Sequence, residues 1–291
     1  MSTANVREAR PTGTSEAMTS PDAALVSIDH VGQDYVDGKK TRTVLDGVTF
    51  DVAPGEFVCI VGPSGVGKTT MLRCIAGLQQ PTRGSIRIRG HQLNGPSPDV
   101  GLVFQNYDRS LMPWLNVREN VELPLRGRLD RRNRESRAVD ALTEVGLEQH
   151  LDKKPWQLSG GMQQRVAIAR ALAFGAPLLL MDEPFASVDA QTRADLEDLT
   201  LRVQKDTGQA IIVITHDIDE AIYLANRVIV LGGKPASVRT EIRVDLDGNR
   251  NQVETKSQPR FGELRSQIHS LIRSVSQSTG AAEQPIPQVE S

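Results

Sequence analysis

The sequence predicts an α/β fold in which a mainly parallel sheet is covered by helices and interrupted by a helical insertion. Three observations carry that expectation. Short apolar runs alternate with helix-period segments over residues 162–231, and strands joined through helices run parallel in one sheet. The run Phe57-Val58-Cys59-Ile60-Val61 has the composition of a strand buried on both faces. Between about residues 107 and 157 the alternation stops, and two charge-rich segments, around 117–127 and 133–146, show helical periodicity instead.

Taken in order, residues 1–22 are Pro, Thr, Ser, Gly and Ala without periodicity and read as a flexible extension. Strand-like text begins at Ala24, with Leu25, Val26 and Ile28 leading to Tyr35, and continues over 44–52 and 56–61. A Gly-rich turn precedes a helical segment from Lys68 to Gly77, and short strands at 85–90 and 99–104 follow. Beyond the insertion come helix 162–174, strand 177–182, helix 190–205, strand 210–215, helix 217–225 and strand 227–231. Phe261, Leu264, Ile268, Leu271 and Val275 then recur at three- and four-residue spacing, an amphipathic helix before an unstructured last dozen residues. The chain thus divides into 1–22, a domain over 23–247 whose helical subdomain spans about 107–157, and a C-terminal helix and tail over 248–291.

Composition excludes some functions. With 34 Lys+Arg against 36 Asp+Glu, the net charge is −2, so no general electrostatic attraction to nucleic acid is expected. No apolar run reaches the ~18 residues of a spanning helix, and the polar N-terminus lacks the apolar stretch of a signal peptide. Cys59 and Cys74 both lie in apolar contexts and read as buried thiols of a reducing compartment, so a cytosolic location is expected.

Gly62-Pro63-Ser64-Gly65-Val66-Gly67-Lys68-Thr69, with Thr70 next, fits G-x-x-x-x-G-K-[ST] between a strand and a helix. Glycines let the backbone turn N–H groups toward phosphate oxygens, and the helix N-terminus adds partial positive charge. Lys68 can reach the β and γ phosphates, and the Thr69 hydroxyl can ligate Mg²⁺. Binding of ATP or GTP is the expectation. Leu178-Leu179-Leu180-Met181 runs into Asp182-Glu183, which puts two acids at the sheet edge where open α/β sheets bind ligands. Alone, that pattern fits an exposed turn equally well. Beside a phosphate loop, Asp182 would hold Mg²⁺ through water and Glu183 would polarise the attacking water.

Leu158-Ser159-Gly160-Gly161-Met162, followed by Gln163-Gln164-Arg165, resembles the signature loop of ATP-binding-cassette (ABC) ATPases. The order of elements is similar too: phosphate loop, Val103-Phe104-Gln105, helical insertion, signature, carboxylate strand, then Thr215-His216. The resemblance covers approximately residues 24–247. It implies a P-loop NTPase core with an inserted helical subdomain and an N-terminal antiparallel β region. Ser-Gly-Gly before a helix is by its own physics a second phosphate site. The resemblance implies that two cassettes pair head-to-tail, each ATP held between Lys68 of one and Ser159 and Gly161 of the other, so a homodimer is expected. It further implies that Tyr35 stacks on adenine, that Gln105 touches Mg²⁺ and the attacking water, and that His216 contacts the γ-phosphate. Asp189, in Ala186-Ser187-Val188-Asp189, matches a loop that crosses the dimer interface. From the residues alone, Tyr35 is also an ordinary strand tyrosine and His216 a satisfied core histidine.

Leu111-Met112-Pro113-Trp114-Leu115-Asn116-Val117 and the stretch from Lys234 to Leu246 resemble importers of the nitrate/sulfonate/taurine group. That implies an ATP-hydrolysing subunit energising a membrane importer of nitrate, sulfonate, taurine or a similar small anion. Its partners would be separate transmembrane permease subunits, with coupling helices seated near 105–117, and indirectly an extracytoplasmic solute-binding protein. It would sit peripherally on the cytoplasmic face of the inner membrane. The alternative is a soluble ABC ATPase acting in nucleic-acid maintenance or regulation. Trp114 suits a pad for a partner's helix or the core of the insertion. Arg126, Arg128, Arg131, Arg132, Arg134 and Arg137 read as a solvated turn between two helices, or as a patch drawn to anionic lipid.

Overall fold

In the computed structural model, residues 24–38, 40–105 and 110–280 are described. The expectations for 1–22 and for the last dozen residues lie outside them. Alternating burial builds a first sheet: in β1 (Val26–Asp37), Val26 and Ile28 are buried while Asp29 faces solvent. β1 pairs antiparallel with β2 (Lys40–Val52) on one side and β4 (Arg83–Ile88) on the other. The short β5 (His91–Gln92) completes the order β2-β1-β4-β5. This is the expected N-terminal antiparallel region.

The second sheet runs β10-β9-β3-β8-β7-β6. β3 (Phe57–Val61), β6 (Val100–Val103), β7 (Leu178–Asp182), β8 (Ala210–Ile214) and β9 (Arg227–Gly232) are parallel, and β10 (Ser237–Arg243) lies antiparallel on the edge. Every residue of β3 and β8 is buried, as strands covered on both faces require. Successive β3 side chains serve opposite layers. Phe57, Cys59 and Val61 join the core beneath the helical insertion. Val58 and Ile60 join the core formed with α1 (Lys68–Ile75) and the antiparallel sheet. Cys59 and Cys74 are buried free thiols, as expected, and burial pushes Cys74 up to about 11.

In the insertion, Asn116 and Glu119 form a reciprocal cap at the start of α2 (Val117–Glu122). The helix expected to reach 127 tightens into a 3₁₀ turn at Leu123–Leu125, where Pro124 has no N–H to continue the ladder. Asp130 caps α3 (Arg131–Glu144) and Ser159 caps α4 (Gly160–Phe174). The arginine cluster is a solvated turn only in part, with Arg126 and Arg128 exposed between the two helices. Arg131, Arg132, Arg134 and Arg137 lie on a helix, Arg134 Nε donates to the buried Glu122 at 3.0 Å, and Arg131 pairs with Glu135 at 2.8 Å. Arg128 stacks over Phe174 at 4.4 Å.

α5 (Ala190–Thr207) and α6 (Ile218–Leu224) complete the parallel layers. The C-terminal amphipathic pattern becomes α8 (Pro259–Gly280), preceded by a short helix, α7 (Glu254–Ser257), that the pattern did not include. Phe261, Leu264 and Ile268 of α8 are fully buried within the main core. Among the described residues, no helix is long and apolar enough to cross a membrane.

Candidate functional site

β3, β7 and β8 run parallel side by side, so Gly62, Asp182-Glu183 and Thr215-His216 emerge at one edge of the sheet. β3 is flanked by β8 and β9, the kind of position where an open α/β sheet leaves a crevice. The turn after β3 depends on glycine at two places. Gly67, the N-cap of α1, has φ 113°, and a Cβ there would press on Val44 and Leu45 at 3.0 Å. A Cβ on Gly62 would run into the Leu231 carbonyl. Lys68 is buried and its Nζ donates to the carbonyls of Gly62 (2.8 Å) and Pro63 (3.1 Å). Burial draws the lysine's pKa down, while Glu183 and Asp182 nearby push it back up.

Burial pushes the Asp182 carboxyl up and Glu183 adds to it, while the Thr69 hydroxyl bonded to Asp182 opposes the rise. Thr69 and Asp182, bonded to each other, offer oxygen donors, and the amide oxygen of Gln105 is of the same hard kind, the chemistry that would suit Mg²⁺. Gln105 Nε2 donates to Glu183 Oε2 at 3.0 Å, and His216 Nδ1 lies 3.3 Å from the same oxygen. Glu183 itself sits at φ 44°, an uncommon backbone conformation for a side-chain-bearing residue, with its N–H donating to the Ile214 carbonyl at 2.8 Å. Strain of this kind persists only where surrounding contacts enforce it.

A cleft of about 530 Å³ opens over these groups, lined by Tyr35, Ser64, Gly65, Gly67, Lys68, Thr69, Thr70 and Glu183. The Tyr35 hydroxyl donates to Gln79 Oε1 at 3.0 Å, leaving its ring 39% exposed at the cleft rim. Two larger surface clefts, of about 770 and 810 Å³, contain none of these residues. Pro63 and Val66 shape the turn rather than line the cleft. Arg42, Val44 and Arg73 also line it and went unremarked in the sequence. Arg42 reaches the cleft through the β1–β2 pairing, where it faces Tyr35. Arg73 was findable, four residues after Thr69 on α1, on the same helical face.

Ser159, Gly160, Gly161 and Asp189 do not line this cleft. They form a second locus. A Cβ on Gly161 would collide with the Thr192 methyl, and Asp189 accepts from Thr192 N (3.0 Å) and Oγ1 (2.7 Å). The first turns of α4 and α5 therefore pack together and present Ser159 and Asp189 on a shared surface. Hydrogen bonds from Thr192 hold the Asp189 carboxyl below the usual carboxylate range.

A sheet whose central strand empties into a lysine-bearing phosphate cradle, with an acid closing the parallel strand one place beyond its neighbour, is the frame of a P-loop nucleotide triphosphatase. Residues 45–186 match the family model described as ABC transporter. The chain belongs to this family, as one of its ATP-hydrolysing cassettes. Nitrate import ATP-binding protein NrtC of Synechococcus elongatus is 40% identical over 256 residues, 86% of this chain, which spans 38% of that relative's length. Taurine import ATP-binding protein TauB of Jannaschia sp. is 41% identical over 243 residues, 82% of this chain and 90% of the relative. Among solved structures, the ATP-binding cassette MJ0796, a dimer in a post-hydrolysis state bound to ADP and Pi, is 38% identical. It aligns with a TM-score of 0.66 over 76% of this chain and 99% of its own.

Proposed function

We propose that this ABC ATPase energises a membrane importer of a small anion, of the class to which nitrate and taurine belong. The observation that carries the reading is the convergence of Gln105 and His216 on Glu183 beside the lysine-bearing turn. In this reading Glu183 Oε2 accepts a proton from the attacking water. Gln105 and His216 hold the carboxylate and the water in line with the γ-phosphate. Lys68 and the N–H groups of residues 62–70 stabilise the charge that spreads over the phosphate oxygens. Tyr35 stacks on the adenine, and Arg42 and Arg73 flank the cleft as further cations. Thr69, Asp182 and Gln105 would hold Mg²⁺, which would supply positive charge against the phosphates.

A second copy supplies the other half of each site. Ser159, Gly160 and Gly161 offer a helix N-terminus, and Asp189 lies beside them at the proposed seam. The dimeric assembly of the relative MJ0796 supports this arrangement. Trp114 and Trp156 are 69% and 71% exposed on the helical insertion, and Lys154 Nζ donates to the Trp114 carbonyl at 2.8 Å, which ties the two segments together. Such a pad suits a permease's helix. The subunit would then sit peripherally on the cytoplasmic face of the membrane, with an extracytoplasmic solute-binding protein feeding the permease.

The decisive experiment is Glu183→Gln. The variant should bind ATP, accumulate as a dimer by size exclusion with nucleotide and magnesium, and release phosphate about 10²–10⁴-fold more slowly. Native turnover in this variant would sink the reading.

A further inference from the structure

We infer that Arg265 of the C-terminal helix is a positioning residue for His216, acting through Asp219. The inference rests on the role given to His216 above. The His216 ring is 60% exposed, with Glu183 beside it, so little side-chain packing holds it. Its location follows the backbone. His216 directly precedes Asp217, the N-cap of α6, whose Oδ1 accepts from the N–H groups of Asp219 (2.9 Å) and Glu220 (3.2 Å). Asp217 N also donates to Thr215 Oγ1 at 3.0 Å. His216 therefore moves with the first turn of α6.

That helix has seven residues, Ile218–Leu224, far fewer than the ~12–15 a helix needs to stand alone in water. Tertiary anchors must fix it. Glu220, Ala221, Ile222, Tyr223 and Leu224 are all buried, so most of its circumference is packed. Two arginines hold its polar end. Arg193 of α5 reaches Asp217 Oδ2 at 3.3 Å. Arg265 of α8 grips both oxygens of Asp219, Nε to Oδ1 at 2.5 Å and Nη2 to Oδ2 at 2.7 Å. A two-pronged guanidinium–carboxylate contact fixes orientation as well as distance.

Arg265 is itself held in place. Its guanidinium lies 5.2 Å from the centre of the Phe261 ring, and Phe261, Leu264 and Ile268 seat α8 in the core without exposure. The segment before α8 repeats the pattern. Gln252 donates to Glu197 (3.0 Å) and Asp198 (2.9 Å), and Lys256 reaches Glu197 at 3.2 Å. Residues from 252 onward thus supply the donors that a row of acids on α5 and α6 needs: Glu197, Asp198 and Asp219. The segment after the cassette braces the loop that carries the γ-phosphate contact.

The test is steady-state hydrolysis with the full chain. Arg265→Gln should lower kcat by about 3–10-fold, a small share of the 10²-fold that misplacement of a reacting group can cost, while the Kd for ATP stays native. Arg265→Lys, which keeps the charge without the fork, should recover part of the loss. The exchanged pair Arg265→Asp with Asp219→Arg should recover most of it. In a His216→Ala background, Arg265→Gln should remove nothing further. Native kcat in Arg265→Gln beside a crippled His216→Ala overturns the brace and leaves the reading of His216 intact. Native kcat in His216→Ala overturns that reading first. A loss that persists in the exchanged pair, or that adds fully to His216→Ala, also overturns the brace.

Discussion

Gln105 and His216 reach the same atom: Glu183 Oε2 accepts from Gln105 Nε2 at 3.0 Å and lies 3.3 Å from His216 Nδ1. The two side chains come from opposite flanks, one after the edge strand β6 and one after the interior strand β8. Removing the carboxylate's ability to take a proton leaves both partners in place but ends their purpose. Glu183→Gln should therefore lower phosphate release by about 10²–10⁴-fold, the usual contribution of a general base. Equilibrium binding of labelled ATP should be unchanged.

Lys68 shows a different separation of effects. Its ammonium is buried against two loop carbonyls, in the position where phosphate charge would sit. A hydrogen bond to a charged group contributes about 1.5–3 kcal/mol. Lys68→Ala should accordingly weaken ATP binding by about 10–150-fold in calorimetry, before any effect on turnover is considered.

Glu220 predicts a pH-dependent stability. Burial pushes its carboxyl from 4.5 up to about 8, and Glu197 adds to the rise. Below pH 4.5 the proton is present in folded and unfolded chains alike. As pH rises from 4.5 to about 8, the unfolded chain gives up the proton and the folded chain keeps it, so stability falls. Above about 8 the loss is complete. Glu220→Gln, which retains a partner for Thr215, should flatten this decline and raise the melting temperature by about 2–6 °C at pH 8. At pH 5 the two proteins should melt together.

Trp114 lies open to solvent, so replacing it should not disturb the fold. Trp114→Ala should change stability by no more than about 0.5 kcal/mol. Co-purification with the permease from detergent-solubilised membranes should drop sharply, since an interface tryptophan of this kind carries about 2 kcal/mol or more. Normal retention would show that the permease docks elsewhere.

The parts most legible in the sequence were those fixed by local chemistry. The apolar run at 57–61 and the glycine pattern at 62–67 specify a buried strand and a phosphate turn without reference to anything distant. The same holds for Ser159, which caps α4. The parts that escaped depend on partners far along the chain. β10 is a half-exposed edge strand paired with β9, and it shows neither a buried run nor clean alternation. Arg134 read as one more solvated arginine because the acid that receives it is Glu122, on another helix. Arg42 entered the cleft through its register with Tyr35, a relationship visible only once the strands pair. The C-terminal periodicity announced a helix, but not that its Arg265 would meet Asp219.

The left-handed backbone at Glu183 has a mechanical consequence. Its N–H is stitched to Ile214, the last residue of β8, and His216 follows two positions later. Acid and imidazole are thus mounted on one bracket, and any tilt of that strand carries them together with their spacing preserved. Gln105 hangs from the far edge and meets them through its side chain. Of the three, it is the one that does not share their mounting.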